Sequence, residues 1–286
     1  MVVIGGCLLV LVAVLVGFTM AGGHIGALIH LSEFVTIGGA SFGALIIMSP
    51  KKVLMDLVRG FAQVVKGSPY NKATYAELFE LLYSLTRLVR REGALALDAH
   101  VNNPHDSALF QKYPRIYRNH HVIEFLCTGL SAVVDGKADG AELTAAFDEE
   151  IKVVVREHHA AIAALNKTAD ALPGFGIVAA VLGIVVTMQA IDGPASEIGH
   201  KVGAALVGTF LGILMSYGFL APMAGRMEYL GEAEETFFRA ISAAVVAIAG
   251  GESPKDVVTR ARRVVGTDCR PTQAELTQIF KDGGAS

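Results

Sequence analysis

The sequence predicts an all-α, polytopic membrane protein with four transmembrane helices and a helical cytoplasmic domain. Three observations carry that prediction. Of the 286 residues, 52% are hydrophobic and only 18% are Asp, Glu, Lys or Arg, a more apolar balance than soluble domains show. The charges also fall in blocks. None lies between Asp170 and Asp192, nor between Lys201 and Arg226, and each gap holds a run of ~20 apolar residues, enough to cross ~30 Å of hydrocarbon. In the charged blocks, apolar residues recur at helical spacing, and no alternating strand pattern stands out.

The spans follow in order. Residues 2–20 form the first. No Lys or Arg precedes Lys51, so the basic region of a secretory signal is missing and a retained helix is expected. Gly22, Gly23 and His24 break it. The second span covers 34–48, opening at Glu33 and closing before Ser49-Pro50-Lys51-Lys52. The third and fourth, 172–191 and 202–221, form a hairpin joined by a polar loop at 192–201. Lys51, Lys52 and Arg59 follow span two and Arg226 follows span four, whereas the opposite ends carry only His24, His30 and Lys201. Basic residues stay inside, so both termini and the large middle segment are expected in the cytoplasm. The expected organisation is 1–48 for spans one and two, 49–171 for a cytoplasmic helical domain, 172–225 for spans three and four, and 226–286 for a helical cytoplasmic tail.

In the middle segment, Ser68-Pro69 reads as cap and first residue of a helix over 70–91, with Leu78, Leu81, Leu82, Leu85 and Leu88 on its apolar stripe and Gly93 as its stop. Asn102-Asn103-Pro104 reads as a turn opening another helix. Residues 117–134 form a third, ended by Asp135-Gly136. Asp139 with Glu142 makes a capping box for a long helix to about 165. In the tail, 232–249 is helical, Gly250-Gly251 stops it, and Ser253-Pro254 and Thr272 with Glu275 open two short helices. Residues 283–286 are expected to be disordered.

Several function classes are excluded. A net charge of −3 offers no basic footprint for nucleic acid. Cys7, Cys127 and Cys269 have no metal or redox spacing, and a reducing compartment is expected for the soluble part. Residues 174–179, Gly-Phe-Gly-Ile-Val-Ala, match a dinucleotide pattern, but they lie inside an apolar span rather than after a strand. Asn166-Lys167-Thr168 has glycosylation spacing on the cytoplasmic side. His120-His121 and His158-His159 are adjacent pairs that point about 100° apart on a helix, which suits no shared metal. No cofactor, no metal and no enzymatic chemistry are expected, because no nucleophile or acid pair clusters.

Small residues recur at GxxxG spacing at Gly39 and Gly43, Gly199 and Gly203, and Gly208 and Gly212, which favours close helix packing in lipid. The hairpin itself has no carboxylate or histidine within its spans. Its polar groups are Thr187, Gln189, Thr209, Ser216 and Tyr217. An ion path normally carries an intramembrane acid, so any acid here must come from another subunit, with Thr209 lining that partner's site. The other reading of Thr209 is a hydroxyl bonded back to its own helix. Glu33 sits at the outer edge of span two, as an interfacial carboxylate or a channel group. Pro173 and Pro222 are hinges or simple helix ends. Arg87, Arg90, Arg91, Glu92 and Asp98 form one charged stretch and Asp148, Glu149 and Glu150 another. Each is a solvated face or a docking surface for a charged partner.

Taken together these residues resemble the MotA family of flagellar motor stator subunits, within the MotA/TolQ/ExbB proton channel group. The resemblance runs over nearly the whole chain. It is most specific at 172–180 (Leu-Pro-Gly-Phe-Gly-Ile-Val-Ala-Ala) and 207–214 (Val-Gly-Thr-Phe-Leu-Gly-Ile-Leu), followed by Tyr217-Gly218 and Pro222. Tyr113-Pro114-Arg115 and Asp148-Glu149-Glu150 also fit. The resemblance implies a pentameric ring around two copies of MotB, whose membrane helix brings the missing aspartate, in the bacterial cytoplasmic (inner) membrane. It implies torque on the rotor protein FliG through Arg90, Asp98, Glu149 and Glu150, and conformational prolines at Pro173 and Pro222, with Thr209 and Tyr217 along the ion path. Asp98 stands where a glutamate is familiar, which keeps the charge at a shorter reach. Ala180 stands where sodium-driven relatives carry a threonine. It has no oxygen for Na⁺, which favours protons. An ExbB- or TolQ-like energiser of outer-membrane transport is the alternative, although those proteins have three spans.

Overall fold

The computed structural model describes residues 2–136, 139–189 and 191–285, and among them every regular element is a helix. In chain order these are α1 (Val2–Met20), α2 (Leu31–Met48), α3 (Lys51–Lys66), α4 (Lys72–Glu92), α5 (Asp98–Asn102), α6 (Ala108–Gln111), α7 (Pro114–Tyr117), α8 (His120–Val134), α9 (Gly140–Met188), α10 (Ala195–Met215), α11 (Ala221–Ala249), α12 (Pro254–Val264) and α13 (Gln273–Ala285). Short 3-10 turns cover Ile25–Leu28 and Ala94–Leu97, and a π-helical turn covers Ser216–Leu220. Four helical stretches are long and apolar enough to cross a membrane, one in each expected region. The chain forms two compact units, Met1–Gly67 with Glu157–Leu230 and Ser68–Arg156 with Gly231–Ser286.

In the first unit, α3 turns Leu57 and Val64 onto Ala161, Leu165, Ala224 and Met227, while its lysines face outward. Gly60 sits against the Met227 side chain. Lys52 of α3 pairs with Glu157 of α9. A second apolar cluster joins Ile37 of α2, Leu172 and Ala179 of α9, and Val207 and Leu211 of α10.

The second unit is built on α4. Leu78, Phe79, Leu81, Leu82 and Leu85 are fully buried, and each such side chain contributes about 1.5–3 kcal/mol. α12 and α13 lie along α4. Tyr70 stacks on Phe237 at 4.7 Å and donates its hydroxyl to Glu234 Oε1 at 2.8 Å. Burial first, and then the Glu234 charge, push the Tyr70 phenol up, so it remains a donor.

Local signals in the sequence competed, and several boundaries move. The cap of α4 is Asn71, whose Oδ1 accepts from the Ala73 and Thr74 amides; Ser68 Oγ instead accepts from the Tyr70 amide. Asn71 stands immediately before α4, where a cap meets the orphan amides of the first turn. Asn102 ends α5 rather than opening a helix, and Ser107 caps the short α6. α8 begins at His120, capped by Asn119, because Tyr117 closes α7. Asp139 does cap α9 through its contact with the Ala141 amide, but α9 continues unbroken past 165 to Met188. Most of the expected loop 192–201 belongs to α10, where Lys201 pairs with Glu197 at 3.0 Å. α11 begins at Ala221, before the expected tail helix. Thr272 and Glu275 form the capping box in full, each accepting from the other's amide. α13 runs to Ala285, and Ser286 lies outside the described residues.

Candidate functional site

The hairpin is held by backbone proximity. A methyl placed on Gly176 would stand 2.8 Å from the Gly208 carbonyl oxygen and 3.3 Å from Gly212 Cα. One placed on Gly212 would stand 2.6 Å from the Leu172 carbonyl oxygen. Gly183 meets Ala205 in the same way. The register is therefore antiparallel, pairing Leu172 with Gly212, Ala179 and Ala180 with Gly208, and Gly183 with Ala205. Only small residues permit this approach. Of the three GxxxG pairs, Gly208 with Gly212 makes it; Gly39, Gly43, Gly199 and Gly203 have no atom within 4 Å of a placed methyl.

Ala180 and Thr209 flank this crossing, both half-buried. The residue that sequence reasoning left at the membrane edge, Glu33, is here as well. Its side chain is 7% exposed, and Oε2 lies 2.6 Å from where a Gly208 methyl would be. That oxygen has no hydrogen-bond partner in the described chain. The structure buries Glu33: α2 begins at Leu31 and packs on α10, which carries the carboxylate to the hairpin. A signal was available, because Glu33, Ile37 and Ser41 share one face at i, i+4 and i+8, and all three are buried.

Neither proline ends a helix. Pro173 lies inside α9. It removes one backbone donor, which leaves the carbonyl four residues earlier, that of Ala169, without its helical bond. Pro222, which is exposed, follows a π-helical turn at Ser216–Leu220, closed by the Ala221 amide on the Ser216 carbonyl. Widening the preceding turn relieves the clash between a proline ring and the carbonyl four residues back. Tyr217 in that turn is 64% exposed, whereas Ser216 is buried with no partner for its hydroxyl.

In the second unit, Arg90 and Asp98 are both exposed and flank the Ala94–Leu97 turn; Asp98 Oδ1 accepts from Asn102 Nδ2 at 3.0 Å. Beside them Arg87, Arg91, Glu92, His100 and Lys112 line a cleft of about 180 Å³. Glu149 and Glu150 lie elsewhere, on α9. Glu149 is exposed and bonded to Lys152 at 2.7 Å, which holds its carboxyl below the usual range. Burial, and then Glu124, push Glu150 up. Asp148 pairs with Arg239 at 3.5 Å. The four expected contact residues thus form two patches. Arg115, singled out by its motif, is a tether: its amide and guanidinium both bond Glu77.

A four-span helical protein with a glycine-packed, acid-flanked hairpin belongs among membrane channel and energiser subunits. Two family models match, Motility protein A N-terminal over residues 4–93 and the MotA/TolQ/ExbB proton channel family over 118–240. Motility protein A of Salmonella typhimurium is 34% identical over 278 residues, covering 97% of this chain and 94% of the relative. Chemotaxis protein LafT of Vibrio parahaemolyticus is 37% identical, covering 93% and 94%. The flagellar MotAB stator complex of Bacillus subtilis matches with a TM-score of 0.72 at 26% identity, covering 90% of this chain and 92% of that one. The C. jejuni MotAB structure matches in fold, with a TM-score of 0.77 at 22% identity over 95% and 98%. The chain belongs to the Motility protein A branch of the MotA/TolQ/ExbB proton channel family, a multi-pass protein of the inner membrane.

Proposed function

We propose that this chain is a stator subunit of the flagellar motor that forms a proton channel with MotB and turns proton flow into torque on FliG. Five copies surround two MotB helices, each of which brings an aspartate, and both termini of each copy lie in the cytoplasm. The observation that carries this reading is the α9–α10 contact. It is narrow, lined by Ala180 and Thr209, and lies in stretches of the two helices, after Asp170 and after Lys201, that carry no acid. Such a wall suits a partner that supplies the titrating group. Pro173 and Pro222 are the places where the two helices yield, and Tyr217, exposed on this chain, faces a neighbour in the ring. Arg90 and Asp98 on one patch, and Glu149 and Glu150 on the other, meet complementary charges on the rotor. One proton crossing 100 mV releases ~2.3 kcal/mol, enough to bias a conformational step and too little to unfold a domain. The reading is one of transport and force generation, without catalytic chemistry.

The test is a strain lacking the gene. Assembled but paralysed filaments, together with co-purification of a single-span partner bearing a membrane aspartate, are expected. A motile strain that fails instead in iron uptake or envelope integrity would assign the chain to the ExbB and TolQ type. For the ion, swimming speed is expected to follow pH and uncoupler, and a sodium requirement overturns that choice.

A further inference from the structure

Glu33 has no role in the reading above, yet among the described residues it is the one buried carboxylate. It is 7% exposed, and Oε2 is wholly buried without a hydrogen-bond partner. Burying an ionised carboxylate without a partner is costly; a proton on it removes most of that cost. The chain makes room for it. Gly208 has no side chain where the carboxylate sits, and Ala179 Cβ and the Ala180 amide nitrogen are the next atoms around that point, at 3.1 and 3.3 Å.

A second observation lies on the same face. Ser41 and Ser216 are also buried with unpartnered hydroxyls. Ser41 follows Glu33 by two helical turns on α2, and Ser216 follows Gly208 by the same interval. At 1.5 Å per residue both lie ~12 Å deeper. α2 and α10 are the second and fourth spans, so they run in the same direction, and they pack together. Unpartnered buried oxygens thus recur at the same interval on two helices that pack together.

On the outer side, His24, His30 and His200 line a cavity of about 1070 Å³ whose wall reaches Val207, the neighbour of Gly208. Few other titratable groups come near. α2 carries none besides Glu33, and His30 is its cap. The 3-10 turn has only His24 beside it. α9 has none between Asp170 and its end, and between Lys201 and Arg226 there is only Tyr217. Lys201 is already paired with Glu197.

We propose that Glu33, in the space left by Gly208, is a proton-holding station of the ion path, loaded from the outer side. An O–H bond forms on the carboxylate as hydronium on the outer side loses a proton, its O–H bond breaking to leave water. It breaks as the proton passes to the acid of the partner helix, which restores the carboxylate. This rests on the channel reading above and adds to it a titrating group that belongs to this chain.

The test is proton uptake into liposomes that hold the full-length chain with its partner subunit, driven by an imposed potential and followed with an enclosed pH dye. Glu33→Gln keeps the shape and cannot titrate. Flux is expected to fall about 100-fold, the low end for a positioned proton-transfer group, with complex assembly unchanged. Glu33→Asp keeps the acid, and is expected to conduct with a shifted pH midpoint, a readout that a purely structural role would not move. Wild-type flux and pH profile in Glu33→Gln overturn the proposal. If Glu33→Gln does not assemble, Glu33→Asp decides, and a wild-type midpoint overturns it. If the wild-type complex itself carries no protons, the channel reading falls and this proposal with it.

Discussion

Replacing Gly212 by Ala tests the hairpin most directly. The added methyl would meet the Leu172 carbonyl oxygen at 2.6 Å, Gly176 Cα at 3.0 Å and the Gly176 amide nitrogen at 3.3 Å. Ordinary contact begins near 3.4 Å, so the deficit at the oxygen is 3.4 − 2.6 = 0.8 Å. All three neighbours are backbone atoms, and no rotamer change relieves them. The helices must separate, and a gap of 0.5–1 Å forfeits about a quarter to a half of each contact along the crossing. Overpacking of this kind costs about 1–3 kcal/mol. Gly203→Ala on the same helix is the control: nothing lies within 4 Å of its methyl, and better helix propensity offers up to about 1 kcal/mol in its favour. The measurement is the unfolding equilibrium of both variants of the purified protein in detergent, titrated with a denaturing detergent. Equal stability for the two would refute the close-approach argument.

Other consequences are independent of the hairpin. Pro173→Ala is expected to accumulate normally, since it restores a helical donor inside α9, and to swim poorly; normal swimming would remove the proline from the mechanism. Arg90→Glu reverses an exposed charge and is expected to abolish swimming at wild-type protein level, whereas unaltered motility excludes Arg90 as a rotor contact. Asn71→Ala removes the acceptor for the Ala73 and Thr74 amides and should cost ~1 kcal/mol, read as a lower thermal midpoint. Glu275 is held at about 2 by Lys72, at 2.9 Å, and by Thr272. Its folded value lies below the usual ~4.3, so its contribution is present above that value and is lost as pH falls through about 2. Lys72→Met should move the Glu275 titration upward by carboxyl NMR, and an unmoved titration would contradict the assigned cause.

Span positions and the caps Asp139, Ser253 and Thr272 were legible because each rests on local chemistry. The charge-free runs had only one use, and Thr272 with Glu275 had only one geometry. Continuity was not legible. Proline, read locally, breaks a helix, yet α9 carries Pro173 without interruption and the segment before Pro222 widens into a π turn. The cost of one lost backbone bond falls on a single residue, while the apolar stripe on either side supplies many contacts. Ser68, read as the cap of α4, gave way to Asn71 three residues on, because the helix starts only at Lys72.

The candidate site divides along the same line. Ala180, Thr209 and the two prolines could be chosen from the motif, and all but Pro222 lie within four residues of a glycine that holds the hairpin. Glu33 could not be placed by counting from the start of its span, since depth in a membrane is set by the neighbouring helix. α10 passes Gly208 against Glu33 thirteen residues after its own first residue, Ala195. That is ~20 Å along its axis, so an acid in the first turn of one helix meets the middle of another. The absence of acids within the hairpin therefore does not mean that the chain brings none to it. A third helix delivers one, and a glycine leaves the space that it fills.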